Sequence, residues 1–228
     1  MLTIIIPVYN EGENIKTAVE NIEKEVKYPY VINVIYDFDE DLTIEPAKKL
    51  NVNLVKNKYG RGVLNAIKTG LENVQTEFAI VTMADLSDPP RVMNDMIASA
   101  IKNNADIVCA SRYMSGGGQL GGPVIKQLMS KFAGVSLHYI AGLPVHDVTN
   151  SFKLYRKSFL DSVKIESSGG FELGLELVVK AFKNGKKITE VPTVWRDRTA
   201  GKSNFKLIEW LPKYLRWYFK AFGGKIDK

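Results

Sequence analysis

The sequence predicts a mostly parallel, doubly wound α/β sheet flanked by helices, and three observations carry that prediction. Short apolar runs alternate with helix-length amphipathic stretches through about residue 110, the β-α-β-α pattern of a sheet with crossover connections. The run 78–83 is almost wholly apolar, as in a strand covered on both faces. Three strand ends are followed by acidic residues, where ligands of open α/β sheets sit.

Residues 2–6 read as a short buried strand, left through the loop Pro7-Val8-Tyr9-Asn10-Glu11-Gly12. Residues 13–26 place Ile15, Val19, Ile22 and Val26 at intervals of three and four, an amphipathic helix. A second strand, 31–36, ends at the cluster Asp37, Asp39, Glu40 and Asp41. A short helix over 44–50 leads to a third strand at 52–55. Gly60-Arg61-Gly62 opens a helix reaching about Glu72, and 78–83 is the fourth strand. Pro89 and Pro90 stop that strand and suit a first helical turn, so 90–102 is helical and 106–110 is the fifth strand.

The second half is less regular. Residues 115–122 form a flexible glycine-rich loop, 124–141 are helical, and 151–155 and 187–194 are strands that extend the sheet. Between those strands a helix over 170–184 carries Glu172 and Glu176. Residues 204–222 interleave Trp210, Tyr214, Trp217 and Phe219 with Lys206, Lys213, Arg216 and Lys220. Rings and cations on one amphipathic helix suit a membrane interface, and Pro212 is expected to divide it into two pieces.

The 228 residues are 45% apolar and 25% charged, enough for one good core. Net charge is +6 and the pI is near 9.2, which fits an anionic ligand or surface. Cys109, the single cysteine, excludes an internal disulfide, argues against a cysteine zinc site, and reads as core packing. No leader is expected, because the N-terminus enters a strand at once. No uncharged run approaches the ~20 residues that span a bilayer. A cytoplasmic protein without a span of its own is the expectation.

Glu11, Asp37, and Asp85 with Asp88 stand at neighbouring strand ends. Carboxylates so placed repel unless they hold a cation or accept hydrogen bonds, as from a ribose and base. Gly60-Arg61-Gly62 at a helix start offers N–H groups to phosphate. Downstream lie Arg112, Lys126, Arg196, Arg198 and Lys202, the last three in a loop dense in phosphate-binding groups. The basic residues cluster around this presumed site and the C-terminal helix, which argues against nucleic acid as the partner. Asp147 is either a general base or an organiser of its own loop. His146 beside it reads as surface packing, and His138 as structural.

In order along the chain, Pro7-Val8-Tyr9-Asn10-Glu11, Asp37, Gly60-Arg61-Gly62, Ala84-Asp85-Leu86-Ser87-Asp88-Pro89-Pro90, Ser111-Arg112-Tyr113 and Asp147-Val148-Thr149-Asn150-Ser151-Phe152 resemble family 2 glycosyltransferases. Arg198-Thr199-Ala200-Gly201-Lys202-Ser203 completes the resemblance, which is strongest to the branch that loads sugars onto polyprenyl phosphates. It implies a GT-A domain over 1–203, with 204–228 as appended, membrane-interfacial helices. It implies a GDP- or UDP-linked sugar donor, inversion at the anomeric carbon, and Mg2+ or Mn2+ held by Asp85, Ser87 and Asp88. Pro7, Tyr9, Glu11 and Asp37 would hold the base and ribose, Arg61 would join the donor-binding set, and Arg198 and Lys202 would grip the donor phosphates. Arg112, Lys126 and Ser130 would meet the acceptor phosphate, with Asp85, Asp147 and Arg198 as the catalytic set.

The chain departs from the family pattern at several positions. Met83 stands where the first Asp of an Asp-x-Asp turn is usual, and Ser87 where Gln or Glu is usual, which implies a weakened metal site. Tyr36-Asp37-Phe38-Asp39 replaces a form of Asp-Asp-Gly-Ser, Lys126 replaces Arg, and Asn150-Ser151 replaces Ser-Gly. The expected protein is peripheral at the inner face of the membrane, held by its terminal helices or by a separate membrane-protein partner. Transfer to a sugar hydroxyl in surface polysaccharide synthesis and a non-catalytic nucleotide-sugar-binding protein are the alternatives. A nucleotidyltransferase lacks support, since no glycine- and lysine-rich signature follows the first strand.

Overall fold

Alternate residues of the first strand face opposite sides of the sheet, and this divides the interior into two cores. The computed structural model describes residues 1–12, 14–197 and 207–223. β1 (Leu2–Pro7) is buried throughout. Its Ile5 joins one apolar cluster, while Ile4 and Ile6 join the other. α1 (Asn14–Glu25) buries Ile15, Val19 and Ile22 against the second cluster, as their spacing predicts.

β2 (Tyr30–Tyr36), α2 (Ile44–Ala47), β3 (Asn53–Lys56), α3 (Val63–Glu72), β4 (Phe78–Val81), α4 (Val92–Asn103) and β5 (Ile107–Ser111) follow. The chain then forms β6 (Gly118–Leu120), α5 (Val124–Ala141), β7 (Lys153–Arg156), α6 (Lys157–Leu160), α7 (Glu172–Lys183), β8 (Ile188–Pro192), β9 (Val194–Arg196) and α8 (Leu207–Lys220). One seven-stranded sheet has the order β3-β2-β1-β4-β7-β5-β8. All its pairings are parallel except those of β7, which runs antiparallel to both β4 and β5. The expected α/β sheet flanked by helices is therefore present, with α1 and α4 on one face and α3, α7 and α8 on the other.

Four expectations change. The strand expected at 151–155 joins the sheet as β7, but it does so inside it, between β4 and β5. The glycine-rich loop contains β6, which pairs in parallel with β9 as a separate two-stranded sheet. The stretch 187–194 accordingly splits into β8 and β9 around Thr193, because Gly118 donates its N–H to the Thr193 carbonyl at 2.9 Å and draws the chain into a second pairing. Pro212 lies inside one continuous α8 instead of dividing it. It stands in the second turn, so the backbone bond it forfeits is among the first the helix makes.

The loop before α7 hangs on two buried glutamates one turn apart. Glu172 accepts the backbone N–H groups of Ser168, Gly169 and Gly170. Glu176 accepts those of Glu166 and Ser167. Lys180 then neutralises Glu176 and Glu166 at 2.8 Å each. α8 lies over this assembly with Trp210, Trp217 and Ala221 buried.

Candidate active site

Strand order reverses beside β1, whose neighbours are β2 and β4, and the motif residues gather at the carboxyl ends of these strands. The β1 loop is held from beneath by the β2 loop. Asp41, almost fully buried, accepts the Asn10 N–H on both oxygens at 3.1 Å and the Thr43 N–H at 2.8 Å. Thr43 Oγ1 accepts the Glu11 N–H at 3.0 Å. Asp37 accepts Asn57 Nδ2 at 2.7 Å and the Gly62 N–H at 2.9 Å. Gly62 meets that carboxylate with φ 129°, a conformation that favours glycine. Arg61 stacks its guanidinium 4.4 Å from the Phe38 ring centre, and Tyr9 meets the same ring edge-on at 5.7 Å. Pro7, Tyr9, Glu11, Asp37 and Arg61 thus come together on adjoining loops.

Beyond β4 the backbone turns sharply, with Leu86 at φ 61° and the Ser87 N–H donated to Asp85 Oδ1 at 3.1 Å. A bulky residue rarely adopts that conformation, and the turn carries Asp85, Ser87 and Asp88, all of which line one cleft. Asp88 is buried, and its Oδ1 has no hydrogen-bond partner. Burial, then the Asp85 carboxylate, pushes Asp88 up to about 7. A buried carboxylate oxygen without a donor, beside a second carboxylate, is what a divalent cation would satisfy, so the residues fit such an ion. The two carboxylates with Ser87 form a lean ligand set: no group of three His, Cys, Asp or Glu able to hold a metal occurs among the described residues.

Arg112 follows β5 and is locked to Asp147. Its Nε donates to Oδ2 at 2.7 Å, its Nη2 to Oδ1 at 3.1 Å, and its backbone N–H to Oδ2 at 3.1 Å. Asp147 also accepts the N–H groups of Thr149 and Asn150 and is wholly buried. Burial alone would raise its pKa, but the Arg112 guanidinium outweighs burial and holds the carboxyl below the usual range. Beneath this loop Lys153 is also fully buried, donating to the carbonyls of Val148 (3.2 Å) and Asn150. Burial pulls its ammonium below the ordinary value. α5 is fixed against the same loop at Gly134, where a Cβ would come 2.1 Å from the His146 carbonyl oxygen. His146 itself pairs with Glu190 at 2.5 Å and stacks on His138 at 3.9 Å.

These parts enclose a cleft of about 400 Å³. Its lining brings together Met83, Asp85, Ser87 and Asp88, the polar groups of Arg112, Lys126 and Ser130, and Phe132 of α5 with Leu211, Leu215 and Tyr218 of α8. Ser130 is hydrogen-bonded to the Tyr113 hydroxyl. Asp147 and the β1–β3 residues are not among the residues lining this cleft. Arg198 and Lys202 lie outside the described residues, but the segment leading to them is tied down. Arg196 donates its N–H to the Ser87 carbonyl at 3.0 Å, and Trp195 and Asp197 line the cleft. Sequence reading left Asp41 as one acid in a cluster and passed over Thr43 and Lys153. An Asp-x-Thr turn ahead of a short helix and a lysine opening an apolar strand were the available signals.

Residues 3–164 match the model of glycosyl transferase family 2. The chain belongs to that family. It is 30% identical over 237 residues to the dolichol-phosphate mannosyltransferase of Pyrococcus furiosus, covering all of this chain and 66% of that protein. It is 26% identical over 230 residues to the polyprenol monophosphomannose synthase of Mycolicibacterium smegmatis, covering 91% of this chain and 85% of that one. Among solved structures, a glucosyl-3-phosphoglycerate synthase from Mycobacterium tuberculosis, in complex with Mn2+, uridine-diphosphate and glucosyl-3-phosphoglycerate, superposes with a TM-score of 0.73 at 14% identity. That superposition covers all of this chain and 81% of the other. A further mycobacterial protein gives a TM-score of 0.76 at 14% identity, over all of this chain and 76% of that one. These likenesses show the fold, which is GT-A.

Proposed function

We propose that this family 2 member transfers a sugar from a GDP- or UDP-linked donor to a polyprenyl phosphate, with inversion at the anomeric carbon. The observation that carries the reading is the cleft, whose lining combines a carboxylate turn, Arg112, Lys126 and Ser130, and apolar side chains of α5 and α8. An acceptor with an anionic head and an apolar chain matches that mixed lining. The names of the two curated relatives point to the same acceptor class.

Pro7, Tyr9, Glu11, Asp37 and Arg61 hold the nucleoside, and Arg198 and Lys202 grip its phosphates. Arg112, Lys126 and Ser130 orient the acceptor phosphate, whose oxygen is already anionic at neutral pH. That oxygen attacks the anomeric carbon as the carbon–oxygen bond to the nucleotide diphosphate breaks, so no strong general base is required. Rate comes from alignment and from charge stabilisation of the departing diphosphate. Asp85, Ser87 and Asp88 would hold Mg2+ or Mn2+, and when bound the cation supplies part of that stabilisation. Asp147 acts as the organiser that aims Arg112. A sugar-hydroxyl acceptor would need a base, and Asp147, buried and saturated with donors, is poorly suited to that task. Residues 1–203 form the catalytic domain, and α8 is the first point of attachment to the membrane, directly or beside a membrane-protein partner.

The test is nucleotide release from several nucleotide-sugars, with polyprenyl phosphate and either metal. Metal-dependent release that requires the lipid, and that Asp85→Ala removes, is the expected result. Donor binding without turnover on any lipid or sugar acceptor would leave a non-catalytic nucleotide-sugar-binding protein.

A further inference from the structure

The small sheet of β6 and β9 contributes no side chain to either apolar core. A two-stranded pairing is marginal by itself, so what it holds in place is informative. Its register sets Gln119 opposite Trp195, and side chains at paired positions of neighbouring strands stand on the same face. Both residues line the cleft. Gly122 shows how near each other they lie. A Cβ there would stand 3.2 Å from Gln119 Nε2 and 3.3 Å from Trp195 Cζ3, and the φ of 82° at Gly122 favours glycine in any case.

Hydrogen bonds join this ribbon to both sides of the proposed reaction. Arg196, next to Trp195, donates its N–H to the Ser87 carbonyl of the carboxylate turn at 3.0 Å. Arg112 Nη1 reaches Gln119 Oε1 at 3.4 Å. In transfer the anomeric carbon is bonded to a donor phosphate and attacked by an oxygen of the acceptor phosphate. The sugar must therefore lie within reach of the groups that serve each, which are the carboxylate turn and Arg112. The Gln119–Trp195 pair is tied to both. Its chemistry also fits a sugar. The C–H groups on a pyranose face lie well on an indole ring, whose face is negative, while the hydroxyls at the rim need donors and acceptors. The Gln119 amide offers both. Its bonds within the protein, to Arg112 and to the Gly121 carbonyl, are each 3.4 Å, longer than ordinary hydrogen bonds, so hydroxyls can replace them at a gain.

We infer that Trp195 and Gln119 form the sugar platform of the cleft: the indole carries the pyranose ring of the nucleotide-linked sugar, and the amide reads the orientation of its hydroxyls. The inference rests on the transferase reading and adds the residues that select the sugar.

The experiment is calorimetric titration of the full chain in Mn2+, comparing UDP with UDP-glucose and GDP with GDP-mannose, so that each pair isolates the sugar. Trp195→Ala is expected to weaken the sugar nucleotide about tenfold and to leave the bare diphosphate unchanged. Trp195→Phe keeps an aromatic face and should recover most of that loss. Trp210 and Trp217 are buried, so the sugar nucleotide should alter the intrinsic emission of the parent more than the bare diphosphate does, and Trp195→Phe should remove the difference. Gln119→Ala should narrow the preference between epimers (GDP-mannose and GDP-glucose, or UDP-glucose and UDP-galactose) about tenfold. Equal losses for diphosphate and sugar nucleotide in Trp195→Ala would overturn the inference, because the ring would then serve the phosphates or the fold. So would an epimer preference that Gln119→Ala leaves intact. A Trp195-dependent sugar effect without transfer to polyprenyl phosphate would uphold the platform and remove the acceptor reading. Lipid-dependent transfer that neither variant alters would do the opposite.

Discussion

Asp88 and Asp147 are buried carboxylates in one site, and they are in opposite conditions. Asp147 is saturated by Arg112 and three backbone N–H groups and stays ionised. Asp88 has an oxygen without a donor and is pushed up to about 7. Burial is common to both, so burial does not set their roles; the partners do. One carboxylate fixes a cationic side chain in place, and the other is left incomplete for something the chain does not itself provide.

Breaking the saturated pair should have the largest effect. Arg112→Ala strands Asp147 as an unpaired buried charge, and a loss of about 3–5 kcal/mol is expected. That lowers Tm by about 10 °C for a chain of this size, read by thermal unfolding, and adding Asp147→Asn should recover part of it. Next, Asp85→Ala should reduce metal-dependent turnover by at least about 100-fold, the scale of losing one group that meets developing charge. Its Tm without metal should hardly change, which separates chemistry from folding.

Asp88→Asn sharpens the comparison through pH. The folded pKa of Asp88 lies above the unfolded value of 3.8, so between these the folded state retains a proton that the unfolded state has lost. Stability of the chelator-treated protein therefore falls on this account as pH rises from about 4 to about 7. The variant escapes that loss. Its Tm should exceed the parent's by a few degrees at pH 8 and converge with it below pH 4. Saturating Mn2+ should reverse the order, because only the parent gains from binding. The smallest effect belongs to Pro212→Ala, which restores one backbone bond early in α8 and should raise stability by about 1 kcal/mol or less.

The β1–β4 side of the site was more legible than the side built by β5, β7 and α5, for a physical reason. Pro7 ends its strand, and Glu11, Asp37 and Asp85 come within four residues of the ends of theirs, so local pattern places them. The contacts that steady them are not local: Asp41 reaches Asn10 across 31 positions, and in the sequence it was one acid in a cluster. Nothing local tells that β7 slips between β4 and β5 and carries Lys153 alongside both Val81 and Cys109. α5 was legible as a helix, but which of its faces meets the protein depends on the Gly134 contact with the backbone at His146. The split of the C-terminal helix at Pro212 failed because the proline sits near the start of α8, where few backbone bonds depend on it. Arg198 and Lys202 lie outside the described residues, so their part in gripping donor phosphate rests on the motif.

The glutamate-hung loop before α7 has one further consequence. Its amide protons belong to no helix or strand, and each donates to a buried carboxylate. In a hydrogen–deuterium exchange map the amides of Glu166, Ser167, Gly169 and Gly170 should stand as a slow island in an irregular stretch. Their exchange should be set by the undocking of α8 rather than by fraying of the loop itself. That island would turn the attachment of the C-terminal helix into a rate that can be followed residue by residue.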